Sequence, residues 1–146
     1  MALAGCISVP NRDPIIVGAA PLKERAARKG LIIGAEVSAP LLADPTFRNT
    51  LTRDFAMVVP GNALKWGPLE RRRKVLDFHN ADAIADFAAA HGMMMRGHTL
   101  LWHDMNPKWL ARHLADRHKD AAKLIRRHIK EVAGRYRGRM HSWDVV

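Results

Sequence analysis

The stretch Met-Met-Met-Arg-Gly-His-Thr-Leu-Leu-Trp-His, residues 93–103, joins a short apolar run to a polar and aromatic end. An apolar run of this length, preceded by a glycine, predicts a buried β-strand over residues 93–101. His98 lies near the end of that strand, and Trp102 follows it directly. The stretch therefore predicts a buried strand that carries polar and aromatic side chains where it ends.

Strands and helices alternate on both sides of this strand. Three further apolar runs predict strands at residues 31–37, 55–60 and 140–146. Capping residues and apolar spacing predict three helices, which begin at Asp44-Pro45, at Asn80 and at about Asp120. This alternation is typical of a parallel α/β sheet, and continuous apolar strands indicate burial on both faces.

Two architectures contain such a sheet, and the motifs and the length decide between them. The chain has neither a Gly-x-Gly-x-x-Gly after its first strand nor a Walker sequence, which disfavours the nucleotide-binding doubly wound folds. A (β/α)8 barrel needs about 250 residues, and this chain has 146. A barrel interpretation therefore predicts a partial (β/α)8 TIM barrel, with about the first four strands and three helices.

The composition is that of a folded domain. The chain is 48% hydrophobic and 26% charged, and its single cysteine excludes an internal disulfide. No apolar run is long enough to span a membrane. The formal net charge is +10, but no zinc-finger, RRM or clear helix-turn-helix pattern accompanies it. We interpret the basic clusters as solvated helix faces and predict no nucleic-acid partner.

The N-terminal segment differs from the rest. Residues 3–6, Leu-Ala-Gly-Cys, fit the cleavage pattern of a bacterial lipoprotein, although the apolar stretch of a working signal does not precede Leu3. Residues 1–22 are predicted to be an irregular lead-in, and residues 23–146 to form the domain. The sequence does not predict the location of the protein or its oligomeric state.

The polar residues at three predicted strand ends suggest a sugar site. They are Asn62, Lys65 and Trp66 after the second strand, His98, Trp102 and His103 at the third, and Trp143 and Asp144 in the fourth. In α/β barrels, binding and catalytic groups gather where strands end. Flat sugar faces stack on aromatic rings, and sugar hydroxyls pair with fixed polar groups. The set combines both kinds of group.

The same strand ends carry a family resemblance. Val-Pro-Gly-Asn-Ala-Leu-Lys-Trp at 59–66, Arg-Gly-His-Thr-Leu-Leu-Trp-His at 96–103 and Ser-Trp-Asp-Val-Val at 142–146 resemble consecutive motifs of glycoside hydrolase family 10. The resemblance runs in the family's order from about Leu31 to the last residue. It implies the N-terminal half of a barrel of the endo-β-1,4-xylanase type, whose members are commonly secreted or periplasmic.

The resemblance also implies residue roles. Asn62 and Lys65 match positions that hydrogen-bond a xylose on the glycone side of the cleaved bond. His98 matches the imidazole that contacts the sugar at the cleavage point, and Trp102 the indole beside it. With Trp66, these residues form the predicted substrate-binding set, and the implied substrate is xylan or a xylo-oligosaccharide.

Two departures from the family pattern matter. The family usually has Glu where Gly61 stands, and commonly another where Ala63 stands, so the glycone contacts are expected to be weaker or differently built. The motif at 142–146 is normally followed by Asn and the acid/base Glu, beyond Val146, and the nucleophilic Glu belongs to a later strand. A retaining glycosidase needs both carboxyl groups, about 5–5.5 Å apart. No catalytic residue is therefore assigned, and the isolated chain is predicted to be inactive.

Other interpretations of the polar residues stay open. The histidines lack the spacing of a metal site, so we predict neither a metal nor a cofactor. Glu36 and Asp104 lie near predicted strand ends, but no pairing can be assigned, and a structural or solvated role is the default. A non-catalytic half-barrel or a carbohydrate-binding remnant is the alternative function. The nucleotide sequence after the codon for Val146 would separate it from an enzyme fragment.

Overall fold

The computed structural model describes residues 20–146, so the lipoprotein-like segment at 3–6 and most of the predicted lead-in lie outside the described residues. The elements, in chain order, are α1 (Leu22–Ala27), β1 (Gly34–Val37), α2 (Pro45–Asp54), β2 (Met57–Pro60), α3 (Trp66–Leu69), α4 (His79–Ala90), β3 (Met94–Gly97), α5 (Lys108–Asp116), α6 (Ala121–Arg135) and β4 (Ser142–Trp143). Two 3-10 helices, Ala39–Ala43 and His118–Asp120, precede α2 and α6. None of these helices in residues 20–146 is long and apolar enough to cross a membrane.

The strands form one parallel sheet in the order β1-β2-β3-β4, so each strand lies beside the next one along the chain. This arrangement confirms the predicted parallel α/β sheet. Parallel neighbours require a crossover, which α2, α4 and α6 supply. The register pairs Glu36 with Val59, Val58 with Met95, and Gly97 with Trp143.

The helix starts agree only in part with the sequence. Asp44 caps α2 as predicted, because its Oδ1 accepts the backbone N–H of Thr46 at 2.7 Å. The cap predicted at Asn80 is wrong. Asn80 lies inside α4, and the carboxylate of Asp77 accepts the N–H of His79 at 3.0 Å instead. Helices α1, α3 and α5 were not predicted; the first two are too short to show a clear apolar period.

The two faces of the sheet differ. Val58 and Met95 are buried on the face that α4 covers, where Ile84 packs against them in the main core. Glu36 and Arg96 are exposed in the middle of their strands. Within residues 20–146 the expected burial on both faces is thus seen on the helix-covered face only. In a (β/α)8 barrel the other face is the interior one, which the remaining strands close.

The buried side of α6 agrees only in part with the predicted one. The spacing of Ile125, Ile129, Val132 and Tyr136 predicts the core-facing side. Val132 and Tyr136 are buried, but the two isoleucines are only half-buried. Within α6, the buried residues are Leu124, His128 and Val132. Because His128 stands between Leu124 and Val132 where an aliphatic residue would be expected, the apolar spacing of the sequence does not indicate this stripe.

The basic clusters are not simply solvated helix faces. Residues 71–74 are exposed, but they lie in the loop between α3 and α4 rather than on a helix. In and after α6, arginines form ion pairs: Arg127 with Glu70, Arg135 with Asp82, and Arg139 with Asp86. Part of the positive charge therefore attaches α6 and the turn after it to α3 and α4.

Gly97→Ala is expected to lower the free energy of unfolding by about 1–3 kcal/mol, through overpacking. A Cβ at position 97 would lie 2.7 Å from Cδ2 of Trp143, and closer still to two other atoms of that ring. Gly134→Ala in α6 is the matched control. Nothing lies within 4 Å of its added Cβ, so it should raise stability by about 0.5–1 kcal/mol. Urea unfolding measures both, and equal stabilities of the two variants would contradict the prediction.

Candidate functional site

A cavity of about 510 Å³ lies over the open face of β1, β2 and β3. It is lined by strand residues and by residues that directly follow β2 and β3: Gly34, Ala35, Glu36, Met57, Val59, Gly61, Asn62, Lys65, Arg96 and His98. Three of the predicted site residues, Asn62, Lys65 and His98, are among them.

The turn after β2 holds Asn62 and Lys65 together. The backbone N–H of Lys65 donates to the carbonyl of Asn62 at 3.1 Å, and the Lys65 ammonium donates to Asn62 Oδ1 at 2.9 Å. The same ammonium lies 5.5 Å from the centre of the Trp102 ring, within cation–π distance. The Trp102 side chain, which is 37% exposed, therefore borders the donors of the cavity.

His98 completes this group. Its ring meets the Trp102 ring edge-to-face, with 5.7 Å between the centroids. The peptide bond between His98 and Thr99 is cis. The structure thus brings together Asn62, Lys65, His98 and Trp102, which come from two separate strand ends.

Asp144, directly after β4, orients His98. Its Oδ2 lies 3.0 Å from His98 Nδ1, and its Oδ1 accepts a hydrogen bond from Arg96 Nε at 2.9 Å. The guanidinium of Arg96 holds the pKa of the Asp144 carboxyl below its ordinary value, and the contact with His98 lowers the pKa further. An ionised carboxylate can only accept, so Nδ1 carries the proton and Nε2 is free for a substrate hydroxyl. The sequence placed Asp144 at a strand end but assigned it no role.

Trp66 lies apart from this group. Its side chain is only 4% exposed, and its Nε1 donates to Glu70 Oε2 at 2.9 Å. The indole stacks on the ring of His128, with centroids 4.2 Å apart, and meets Trp109 edge-to-face. These contacts leave Trp66 almost no surface for a sugar, although the sequence placed it in the substrate-binding set.

Glu70 is the buried charge that sequence reasoning missed. Its side chain is 0% exposed and accepts hydrogen bonds from Arg127 at 2.7 and 2.8 Å and from the N–H of Lys74. Burial opposes ionisation, but the bonds from Arg127 and Trp66 outweigh it and hold the pKa of Glu70 below its ordinary value. The only signal in the sequence is an acidic residue four positions after Trp66, on the same face of a helical turn.

His128 is neutral in this cluster. Burial is the main cause that lowers the pKa of its imidazole to about 4. In residues 20–146, no three His, Cys, Asp or Glu side chains form a group that could hold a metal ion.

Gly61 and Glu36 meet at the edge of the cavity. A Cβ at position 61 would lie 2.6 Å from Cδ of Glu36 and 2.9 Å from its Cγ, and closer still to Oε1. The carboxylate of Glu36 thus occupies the space that a side chain at 61 would take.

Comparison with known proteins tests the resemblance. The model of the family described as glycosyl hydrolase family 10 matches residues 21–146. The chain therefore belongs to glycosyl hydrolase family 10. This result confirms the family that the strand-end motifs indicated.

The relatives of this family-10 chain are xylanases. It is 40% identical over 100 residues to the β-1,4-xylanase of Dictyoglomus thermophilum. This match covers 68% of this chain and 28% of the relative. It is 34% identical over 127 residues to an endo-1,4-β-xylanase of Agaricus bisporus, covering 86% of this chain and 37% of the relative. The chain thus spans well under half the length of these curated relatives.

Solved family-10 structures share the fold. Xylanase 10B from Thermotoga petrophila RKU-1, in complex with xylobiose, superposes with a TM-score of 0.78 at 27% identity. The match covers 88% of this chain and 40% of that one. With the parallel sheet, it confirms the predicted partial (β/α)8 barrel.

Proposed function

We propose that this chain forms the first part of the barrel of a retaining endo-1,4-β-xylanase and binds xylan on the glycone side of the cleaved bond. The observation that carries the proposal is the grouping of Lys65, His98 and Trp102 beside the cavity. Family membership and the names of the relatives support the substrate class.

Each residue of the group has a distinct task in this proposal. The exposed Trp102 ring offers an apolar face on which a sugar packs. Lys65 and Asn62 bind its hydroxyls, and Lys65 does so through a charge-assisted hydrogen bond. His98, held by Asp144, presents Nε2 to the hydroxyl nearest the reacting carbon. Arg96 keeps Asp144 ionised and in place.

The reaction needs carboxylates that this group does not supply. A retaining mechanism uses one carboxyl as nucleophile and a second as acid/base, about 5–5.5 Å apart. Among the described residues that line the cavity, Glu36 is the only one with a carboxylate. Asp144 nearby is already hydrogen-bonded to Arg96 and His98, so the group does not offer the required pair. We therefore assign both catalytic carboxyls to parts of the barrel that this chain does not span. Residues 1–146 alone are expected to release no reducing sugar from xylan.

Lys65→Ala is expected to weaken binding of xylotriose to the chain at least tenfold, because a hydrogen bond from a charged group contributes about 1.5–3 kcal/mol. Isothermal titration calorimetry measures the affinity, and the indole N–H signal of Trp102 reports contact in nuclear magnetic resonance spectra. Lys130→Ala, an exposed lysine on the outer helix α6, is the control and should bind as the parent does.

Two results would contradict the proposal. One is an unchanged Trp102 signal at saturating xylotriose, and the other is an equal affinity of Lys65→Ala and the parent. Hydrolysis of xylan by the purified chain, lost in His98→Ala, would refute the assignment of the carboxyls elsewhere while supporting the substrate.

A further inference from the structure

Gly61 lacks a side chain for a reason that its backbone does not explain. It is buried, and its φ lies outside the left-handed region that favours glycine. Its N–H donates to the carbonyl of Val37 at 3.2 Å, which fixes it against the end of β1. The outer part of the Glu36 side chain, from Cγ to the carboxylate, lies where a Cβ at this position would stand and would have to move to admit one.

The Glu36 carboxylate is also free to accept a hydrogen bond. Within residues 20–146 it receives no side-chain or backbone hydrogen bond and forms no ion pair, although it lines the cavity beside Asn62 and Lys65. Its register partner is Val59, so it lies on the cavity face of the sheet.

We propose that Glu36 binds a sugar hydroxyl in the cavity, and that Gly61 makes room for it to do so. The proposal rests on the proposed function and extends it to a specificity-determining residue. Lys65, Asn62 and His98 supply the donors of the site, whereas a carboxylate is an acceptor for hydroxyl protons. A hydroxyl can accept from Lys65 while it donates to Glu36, so the pair recognises both capacities of a sugar hydroxyl. The bond to Glu36 is charge-assisted and therefore strong.

The first experiment measures binding of xylotriose to the full chain by isothermal titration calorimetry. Glu36→Gln keeps the shape and removes the charge, and it should weaken binding about tenfold. Glu24→Gln, on the exposed part of α1, is the matched control and should leave the affinity unchanged. Glu36→Ala should weaken binding more than Glu36→Gln does. In that background, Gly61→Glu returns a carboxylate to the same space and should restore most of the affinity.

The second experiment reports on the pair without any sugar. Gly61→Ala should lower the midpoint of thermal unfolding, because the Glu36 side chain must move to admit the added Cβ. The same substitution in the Glu36→Ala background should cost much less. Equal shifts in the two backgrounds would show that Gly61 does not serve Glu36, and would overturn the pairing.

The outcomes separate the two proposals. If the parent binds xylotriose, Lys65→Ala weakens it and Glu36→Gln binds as tightly as the parent, the role of Glu36 is overturned and the proposed function stands. If the parent binds no xylotriose, the proposed function fails, and the role of Glu36 fails with it. A loss with Glu36→Gln and recovery with the relocated carboxylate supports both.

Discussion

Replacing Glu70 by Gln is expected to lower the free energy of unfolding by about 3 kcal/mol. The substitution removes the charge that balances Arg127, whose guanidinium donates two hydrogen bonds to the carboxylate. It also weakens the acceptor for the buried Nε1 of Trp66. A buried charge that loses its partner is costly, because the protein interior solvates it poorly. Arg127 keeps some solvent contact, which places the expected cost at the lower end of the range for such pairs.

Urea unfolding of the full chain at pH 7.5 measures this difference, since His128, with a pKa of about 4, is neutral there in the folded protein. Asp86→Asn is the matched control. It removes the carboxylate from an ion pair with Arg139 at the surface, where pairs contribute about 0–1 kcal/mol. Similar losses in the two variants would mean that the buried position of Glu70 has no energetic consequence.

The difference in unfolding free energy between the parent and Glu70→Gln should change with pH in a definite direction. The pKa of Glu70 is lowered in the folded state, so its contribution to stability is full above the ordinary pKa of a glutamate. It is lost as the pH falls through the folded pKa. The gap between the parent and Glu70→Gln should therefore be widest near neutral pH and shrink in acid. A constant gap down to pH 3 would contradict an ionised, hydrogen-bonded Glu70.

The sheet and the main crossover helices could be predicted because their signals are local. Apolar runs between turn residues mark the strands, and Asp44-Pro45 marks a helix start that the structure keeps. The strand centres were right and the strand lengths too generous. β3 spans Met94–Gly97 within the predicted 93–101, although Leu100 and Leu101 beyond it still donate to the carbonyls of Asp144 and Val145.

The different positions of Lys65 and Trp66 could not be predicted from their order in the chain. Both follow β2, and both were placed in the sugar site. Lys65 still has an extended backbone, whereas Trp66 is the first residue of α3. In a helix, successive side chains point about 100° apart, so neighbours in sequence need not share a surface. The partner that buries Trp66 is His128 on α6, and no local pattern connects the two.

Glu36 shows the converse case. Its sequence context offered no partner, and a structural or solvated role was the default. Only the parallel register, which sets β1 beside β2, brings its carboxylate to the empty position at Gly61. Long-range placement of this kind depends on which strands are neighbours, and a single sequence does not contain that information locally.

Trp66→Ala is expected to reduce mainly stability and Trp102→Ala mainly sugar binding, although the sequence assigned both indoles to the substrate. Trp66→Ala should lower the free energy of unfolding by about 3–5 kcal/mol, as is usual for a large buried side chain. It empties the space between His128 and Trp109 and removes a donor to the buried Glu70. Trp102 is partly exposed, so its removal should change stability by less than about 1 kcal/mol.

Binding separates the two indoles further. Trp102→Ala should weaken xylotriose binding to the chain at least tenfold, because the sugar loses its aromatic platform beside Lys65. Trp66→Phe keeps a ring against His128 and loses only part of the indole and its N–H, so it should remain folded and bind nearly as the parent does. Calorimetric titration and urea unfolding of the same samples give both quantities. A Trp66→Phe variant that is as stable as the parent but binds xylotriose tenfold more weakly would show that Trp66 contacts the sugar. The buried position of Trp66 predicts the reverse, because a side chain that donates its N–H to Glu70 and stacks on His128 has little surface left for a ligand.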